Sequence, residues 1–287
     1  AEVTLKGGAV GRAAVPSGAS TGKREALELR DGDPDRFNGK GVTRAVDNVN
    51  GEIHQCLAGH DAADQCQIDE QLIALDGSPN KERLGANAML AASLATVKAA
   101  ANGLDQHLYD HIGGLHDNPG PTRLPVPQMN ILNGGAHADN NIDFQEFMVL
   151  PAGAASFREA LRCGVEVFHQ LRSELVSQGL QTAVGDEGGF APDFPSNEAG
   201  LQAVLQAVAQ SGYTISQDVL LGLDLASSEF FEGSRYLLRS EGQSYDTSEF
   251  ITFMSDLTDR IPIISLEDPL DEEDWDGWIK LTQKIGQ

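Results

Sequence analysis

The chain has 287 residues, a formal net charge of −23, 40% hydrophobic residues and only 6% aromatic residues. Such a charge repels a phosphate backbone, and so few aromatics make a poor stacking surface, which excludes nucleic acid as an expected ligand. Cys56, Cys66 and Cys163 are scattered without a CxxC or a neighbouring histidine, which excludes a disulfide framework or zinc site and fits a reducing compartment.

From the first residue, 1–5 read as a strand, Gly7-Gly8 as a turn, and 9–15 as a second strand ending in the small-residue loop Pro16 to Gly22. A chain that starts inside a strand without Met is expected to lack its extreme N-terminus. Val42, Ala45, Val46, Val49 and Ile53 recur at helical spacing, and the alanine-rich run Asn87 to Ala101 predicts a second helix. That run is interrupted by Asn87, Ser93, Thr96 and Lys98 and is too short for a membrane span, so a cytoplasmic protein is expected. Strands followed by helices predict an α+β domain over 1–118. The turn-rich stretch from His116 to Pro127 marks the boundary to a second domain, 119–287.

In the second domain Ser156 and Glu159 form an expected capping box, with Phe157, Ala160, Leu161, Val165, Phe168 and Leu171 as the buried face of a helix ending near Gly179. There follow a strand at 182–185, a helix from Ser196 to about Gly212, a strand at 219–225, a helix at 250–257, a strand at 263–266 and a last helix near Glu272. The alternation predicts an α/β fold with a parallel barrel or doubly wound sheet. A closed (β/α)₈ barrel needs ~250 residues, so the expectation is an incomplete one.

Carboxylates fall where those strands end. Asp186 and Glu187 follow the first, Asp224 closes the second, and Glu267 and Asp268 close the third. In a parallel barrel these ends share the face that carries chemistry. Crowded carboxylates need a cation or a proton, and an oxygen-only set without Cys suits Mg²⁺. Two more segments stand out. Asn133 to Asn141 is a Gly- and Asn-rich loop with His137, and Gln145-Glu146 interrupts an apolar strand running to Leu150. Glu146 begins that strand, so only an antiparallel strand would bring it to the same face, which periodicity leaves open. The Pro16 to Gly22 loop before Lys23 is one residue short of a nucleotide P-loop and lacks the following Ser or Thr, leaving a flexible lid as its reading.

Six motifs in order resemble those of the enolase family: Pro16 to Gly22, Asn133 to Asp139, Phe144 to Met148, Val184 to Gly189, Gly222 to Phe230 and Ser265 to Pro269. Ala138 to Asn141 and Glu273 to Asp276 are similar to bacterial enolases in particular. The resemblance implies an N-terminal α+β domain followed by an incomplete enolase-type (β/α)₈ barrel. It also implies Mg²⁺-dependent interconversion of 2-phosphoglycerate and phosphoenolpyruvate, with two Mg²⁺ per active site. Asp224 and Glu267 are implied as ligands of the first ion and Ser20, on the lid, of the second. Glu187 is implied as the general acid helped by Glu146, with Gln145 and His137 contacting the phosphorylated substrate. The family's third metal carboxylate and its base lysine would lie beyond Gln287, so this polypeptide alone is expected to be inactive and to fold poorly. A homodimer is implied for the full-length protein, and family members also occur at the cell surface or secreted. Two rivals remain. Relatives of the mandelate racemase type place a lysine pair where this chain has Asp186-Glu187. The other rival is a catalytically silent binding protein, at the surface or as an RNA-processing scaffold partner.

Overall fold

A computed structural model describes residues 1–18, 21–115 and 123–286. The chain divides into two units, Ala1–Arg123 and Leu124–Gln287. The boundary expected at 118 falls outside the described residues.

In the first unit β1 (Glu2–Thr4) and β2 (Val10–Arg12) form an antiparallel hairpin with Val3 opposite Gly11. Helix α1 (Thr43–Asn48) runs through a π turn at Val49–Ile53 into α2 (His54–Leu57). Of the expected stripe Ala45 and Ile53 are buried and Val49 is partly buried against them, while Val42, just outside α1, and Val46 are exposed. The sequence pattern missed α3 (Gln65–Asp76) and α5 (Leu108–Gly114), which flank α4 (Ala86–Gly103) in chain order. Alanines let α4 lie against β2. At Gly11 a Cβ would sit far inside contact distance of the Ala95 carbonyl and the Ala99 backbone, so only glycine admits the helix.

The second unit is built on an open four-stranded sheet in the order β3 (Met129–Asn133), β4 (Glu146–Leu150), β5 (Leu220–Asp224), β9 (Ile263–Glu267). Helices α6 (Phe157–Ser177) and α7 (Asn197–Gln210) lie between β4 and β5 in sequence. A small antiparallel sheet, β6 (Phe231–Glu232), β7 (Arg235–Leu238) and β8 (Gln243–Tyr245), precedes α8 (Thr247–Arg260), and α9 (Trp275–Ile285) follows β9. In this sheet β5 and β9 pair in parallel, whereas β3, β4 and β5 pair antiparallel. Among the described residues the sheet does not close, and the barrel is incomplete.

Three expectations are corrected. Residues 182–185 form no strand: Val184 makes a single bridge to Phe190, because the Gly-Asp-Glu-Gly-Gly run doubles back on itself with Gly188 at φ +88°. The buried face of α6 is Ala160, Cys163, Gly164, Val167, Leu171 and Leu175, whereas Phe157, Leu161 and Val165 are exposed. Gly164 turns that face inward, since a Cβ there would collide with the Met129 side chain. At Ser156 only half of a capping box forms. Its Oγ accepts from Glu159 N at 3.3 Å, but the Glu159 carboxylate accepts from Arg162 instead. The reciprocal box sits at Asp246 and Glu249, opening α8.

Candidate active site

The antiparallel course of β4 settles what periodicity left open. Glu146 is in register with Asp224, and Asp224 with Glu267, so three carboxylates from three adjacent strands line one end of the sheet. Like charges in register repel, and Asp224 is buried as well. Burial first, and then its neighbours, push the Glu267 carboxyl above its usual range. Asp224 is also raised by burial, against the pull of two donors. Ala226 N–H donates to its Oδ1 at 2.9 Å and Gln145 Nε2 to its Oδ2 at 3.0 Å.

Both β5 and β9 end in strained backbone. Ala226 and Asp268 have φ of +48° and +43°, conformations that cost non-glycine residues about 1–3 kcal/mol each. The strands stay joined beyond their ends, with Leu225 N donating to Glu267 O and Ser227 N to Asp268 O, each at 3.0 Å. No local sequence signal marks this geometry.

Glu187 reaches the rim from the 184–190 turn and not from a strand. That turn is fastened to the end of β3, with Asn133 N donating to Phe190 O at 2.8 Å and Phe190 N to Ile131 O at 3.0 Å. Gly185 lies directly on the His137 carbonyl, which also accepts from Asp186 N at 3.1 Å. His137 Nδ1 therefore stands 3.4 Å from Glu146 Oε1 and 3.8 Å from Glu187 Oε1. The Glu146 and Glu187 carboxyls lie within 4.8 Å of one another. Glu146 is the more buried, its side chain 13% exposed against 46% for Glu187. Its pKa is pushed up to about 8 by burial, then by Glu187, Asp224 and Glu267.

Several buried polar atoms here have no protein partner: His137 Nδ1, Gln145 Oε1, Ser227 Oγ and both side-chain atoms of Asn133. Such atoms are costly unless a ligand or water meets them. Asn133 and Ser227 lie in motifs that stand out in the sequence, but neither gains a site role from the sequence alone. His137, Glu146 and Glu187 bring ligand atoms within 4.8 Å of one another and could together hold a metal ion. This mixed nitrogen–oxygen set differs from the acid pair Asp224 and Glu267, whose oxygen-only chemistry suits Mg²⁺. The structure thus brings together Gln145, Glu146, Asp224, Glu267, Glu187 and His137. Ser20 lies outside the described residues. The foot of its loop is held at Ser17, which donates to Glu28 Oε2 and accepts from Arg30 Nη2, both at 2.9 Å.

Among the described residues no helix is long and apolar enough to cross a membrane. A family model described as "Enolase, C-terminal TIM barrel domain" matches residues 121–287, and one described as "Enolase, N-terminal domain" matches residues 1–112.

Proposed function

The chain belongs to the enolase family, and on that premise we propose that it carries the acid side of a Mg²⁺-dependent phosphopyruvate hydratase. The reaction is the reversible dehydration of 2-phosphoglycerate to phosphoenolpyruvate. The observation that supports it is the register of Glu146, Asp224 and Glu267, with the Glu187 carboxyl within 4.8 Å of Glu146 at the same rim.

Asp224 and Glu267 would hold a Mg²⁺ ion, together with a substrate oxygen. When bound, the ion offsets the negative charge that builds on the substrate carboxylate as the C2 proton leaves. The remaining work falls to the chain's own groups. Gln145 fixes the orientation of Asp224 through its Nε2 bond. Glu146 holds a proton, its pKa raised by burial and then by the neighbouring Glu187. Glu187, the more exposed of the two, passes it to the departing C3 hydroxyl, and Glu146 serves as the reservoir behind it. His137 has its unpartnered Nδ1 turned toward both carboxyls and is placed to contact the bound substrate.

Within residues 124–287 the only lysines are Lys280 and Lys284, both on α9, so no lysine stands among the converging residues to accept the C2 proton. We therefore expect negligible turnover from residues 1–287 alone. The test is phosphoenolpyruvate formation by a polypeptide that also carries the remaining barrel strands, with and without Glu187→Gln. The substitution is expected to lower turnover by a factor of about 10² or more; an unchanged rate would reject Glu187 as the acid.

A further inference from the structure

Asn197 opens α7, in a helix that contributes no acid to the rim, yet only 1% of it is exposed. Its Oδ1 accepts two successive backbone N–H groups, from Asp143 and Phe144, both at 3.0 Å. Its Nδ2 donates to Glu241 Oε1 at 2.9 Å and to Asp143 Oδ2 at 3.2 Å. Asp143 accepts in turn from Arg239 N at 2.9 Å and from the Ser240 hydroxyl. One side-chain amide thus ties the segment entering β4 to the start of α7 and to the turn between β7 and β8.

That segment delivers the two residues that meet Asp224. Gln145 follows Phe144 directly, its backbone N–H donating to Asp224 O and its Nε2 to Asp224 Oδ2, each at 3.0 Å. Glu146 comes next, opposite Asp224. Regular ladder pairing starts only at Glu146, so residues 143 and 144 depend on the asparagine for their backbone donors. We propose that Asn197 is a positioning residue. By holding the N–H groups of Asp143 and Phe144 it sets where Gln145 and Glu146 point, and so shapes the cation pair Asp224 and Glu267. The hydratase reading supplies only the purpose of that rim.

The chemistry selects asparagine. Two donors need one oxygen, and two carboxylates need one NH₂ group, which only an amide supplies at that length. Leucine has similar bulk but leaves both N–H groups without that acceptor, the Phe144 one buried. Aspartate keeps the acceptor and meets Asp143 and Glu241 with a like charge.

The test is amide hydrogen exchange on the 287-residue chain, paired with titration of Mn²⁺ as the probe ion. In Asn197→Leu the Phe144 amide is expected to exchange roughly ten- to a hundredfold faster, the factor for a lost buried acceptor. The β5 amides of Leu221 and Leu223 should keep their protection. Mn²⁺ should bind about tenfold more weakly, as for loss of a group that orients a metal ligand. Asn197→Asp should keep Phe144 protected while lowering the melting temperature. A Phe144 amide still protected in the leucine variant, or one that speeds up only in step with Leu221 and Leu223, would overturn the proposal. If the leucine variant does not fold, the aspartate variant decides: protection at Phe144 supports the clamp and its loss in an otherwise folded chain overturns it. Failure of the unsubstituted chain to bind Mn²⁺ would instead strike the cation site of the hydratase reading, and the exchange pattern would stand.

Discussion

Where α4 crosses the β1–β2 hairpin, Gly11 and a run of alanines let two backbones touch, and the seam gains its stability from the absence of anything between them. At the end of the β4–β5–β9 ladder, Glu146, Asp224 and Glu267 stand in register, beside two strand ends bent through left-handed backbone. The other end of the same ladder is ordinary core, with Leu150 opposite Leu220 and Val149 opposite Leu221. One scaffold therefore holds a packed region that any added atom would damage and a charged region that removal of a charge would relax. Strain kept at a site while the rest of the fold is optimised is how stability is traded for function.

The largest expected effect is at the seam. Gly11→Val should destabilise the first unit by about 3 kcal/mol or more, because the clash is with helix backbone that cannot step aside. Its denaturant midpoint measures this, and an unchanged midpoint would mean the helix is not seated there. Asp224→Asn should act in the opposite sense. Gln145 can turn its unpartnered Oε1 toward the new amide, so without a cation the variant should be more stable by up to about 1 kcal/mol at pH 8, read as a higher melting temperature. The same variant should lose Mg²⁺ binding, and a lower stability with binding intact would erase the contrast.

Acid titration sharpens the comparison further. The folded-state pKa of Glu146 is raised from its ordinary 4.5 to about 8, so in that window the folded chain binds more protons than the unfolded one. The stability it contributes is complete below about pH 4.5 and is lost as pH rises through 8. Melting temperatures should therefore fall across that range, less steeply in Glu146→Gln and less steeply again with Mg²⁺ present. A flat profile in the unsubstituted chain would show that the rim does not hold its acids apart from water. The smallest effect is on α6, where Arg162 pairs with Glu159 and Glu166 in the open. Arg162→Ala should leave the melting temperature unmoved within error.

Much of this was readable in advance. The helices over 43–57, 86–103, 157–177 and 197–210 announce themselves by periodicity and caps, and Asp224 and Glu267 could be named from their place at the end of an apolar run. Other features were hidden for definite reasons. The strands β6 to β8 are two to four residues long, too few to carry a period, and β3 is as long as β4 but carries Asn130 and Asn133 among its five residues. On α6 two apolar stripes compete, and Gly164 against Met129 decides between them, a contact across 35 positions of sequence. The 182–185 run looks like a strand until its glycines are allowed to fold back.

Local sequence determined the chemical inventory, the existence of most of the longer helices and, through six ordered motifs, membership in a family. It could do so because caps, period and motif are properties of neighbouring residues. Tertiary structure alone decided that Glu146 joins the rim, since that follows from the antiparallel pairing of β4 with β5. It also decided that Glu187 arrives on a turn fastened to β3, that Asn197 accepts the backbone N–H groups of the segment entering β4, and that burial pushes up the Glu146 carboxyl. Each of these depends on burial and charge summed over groups distant in sequence, and no spacing along the chain encodes such sums.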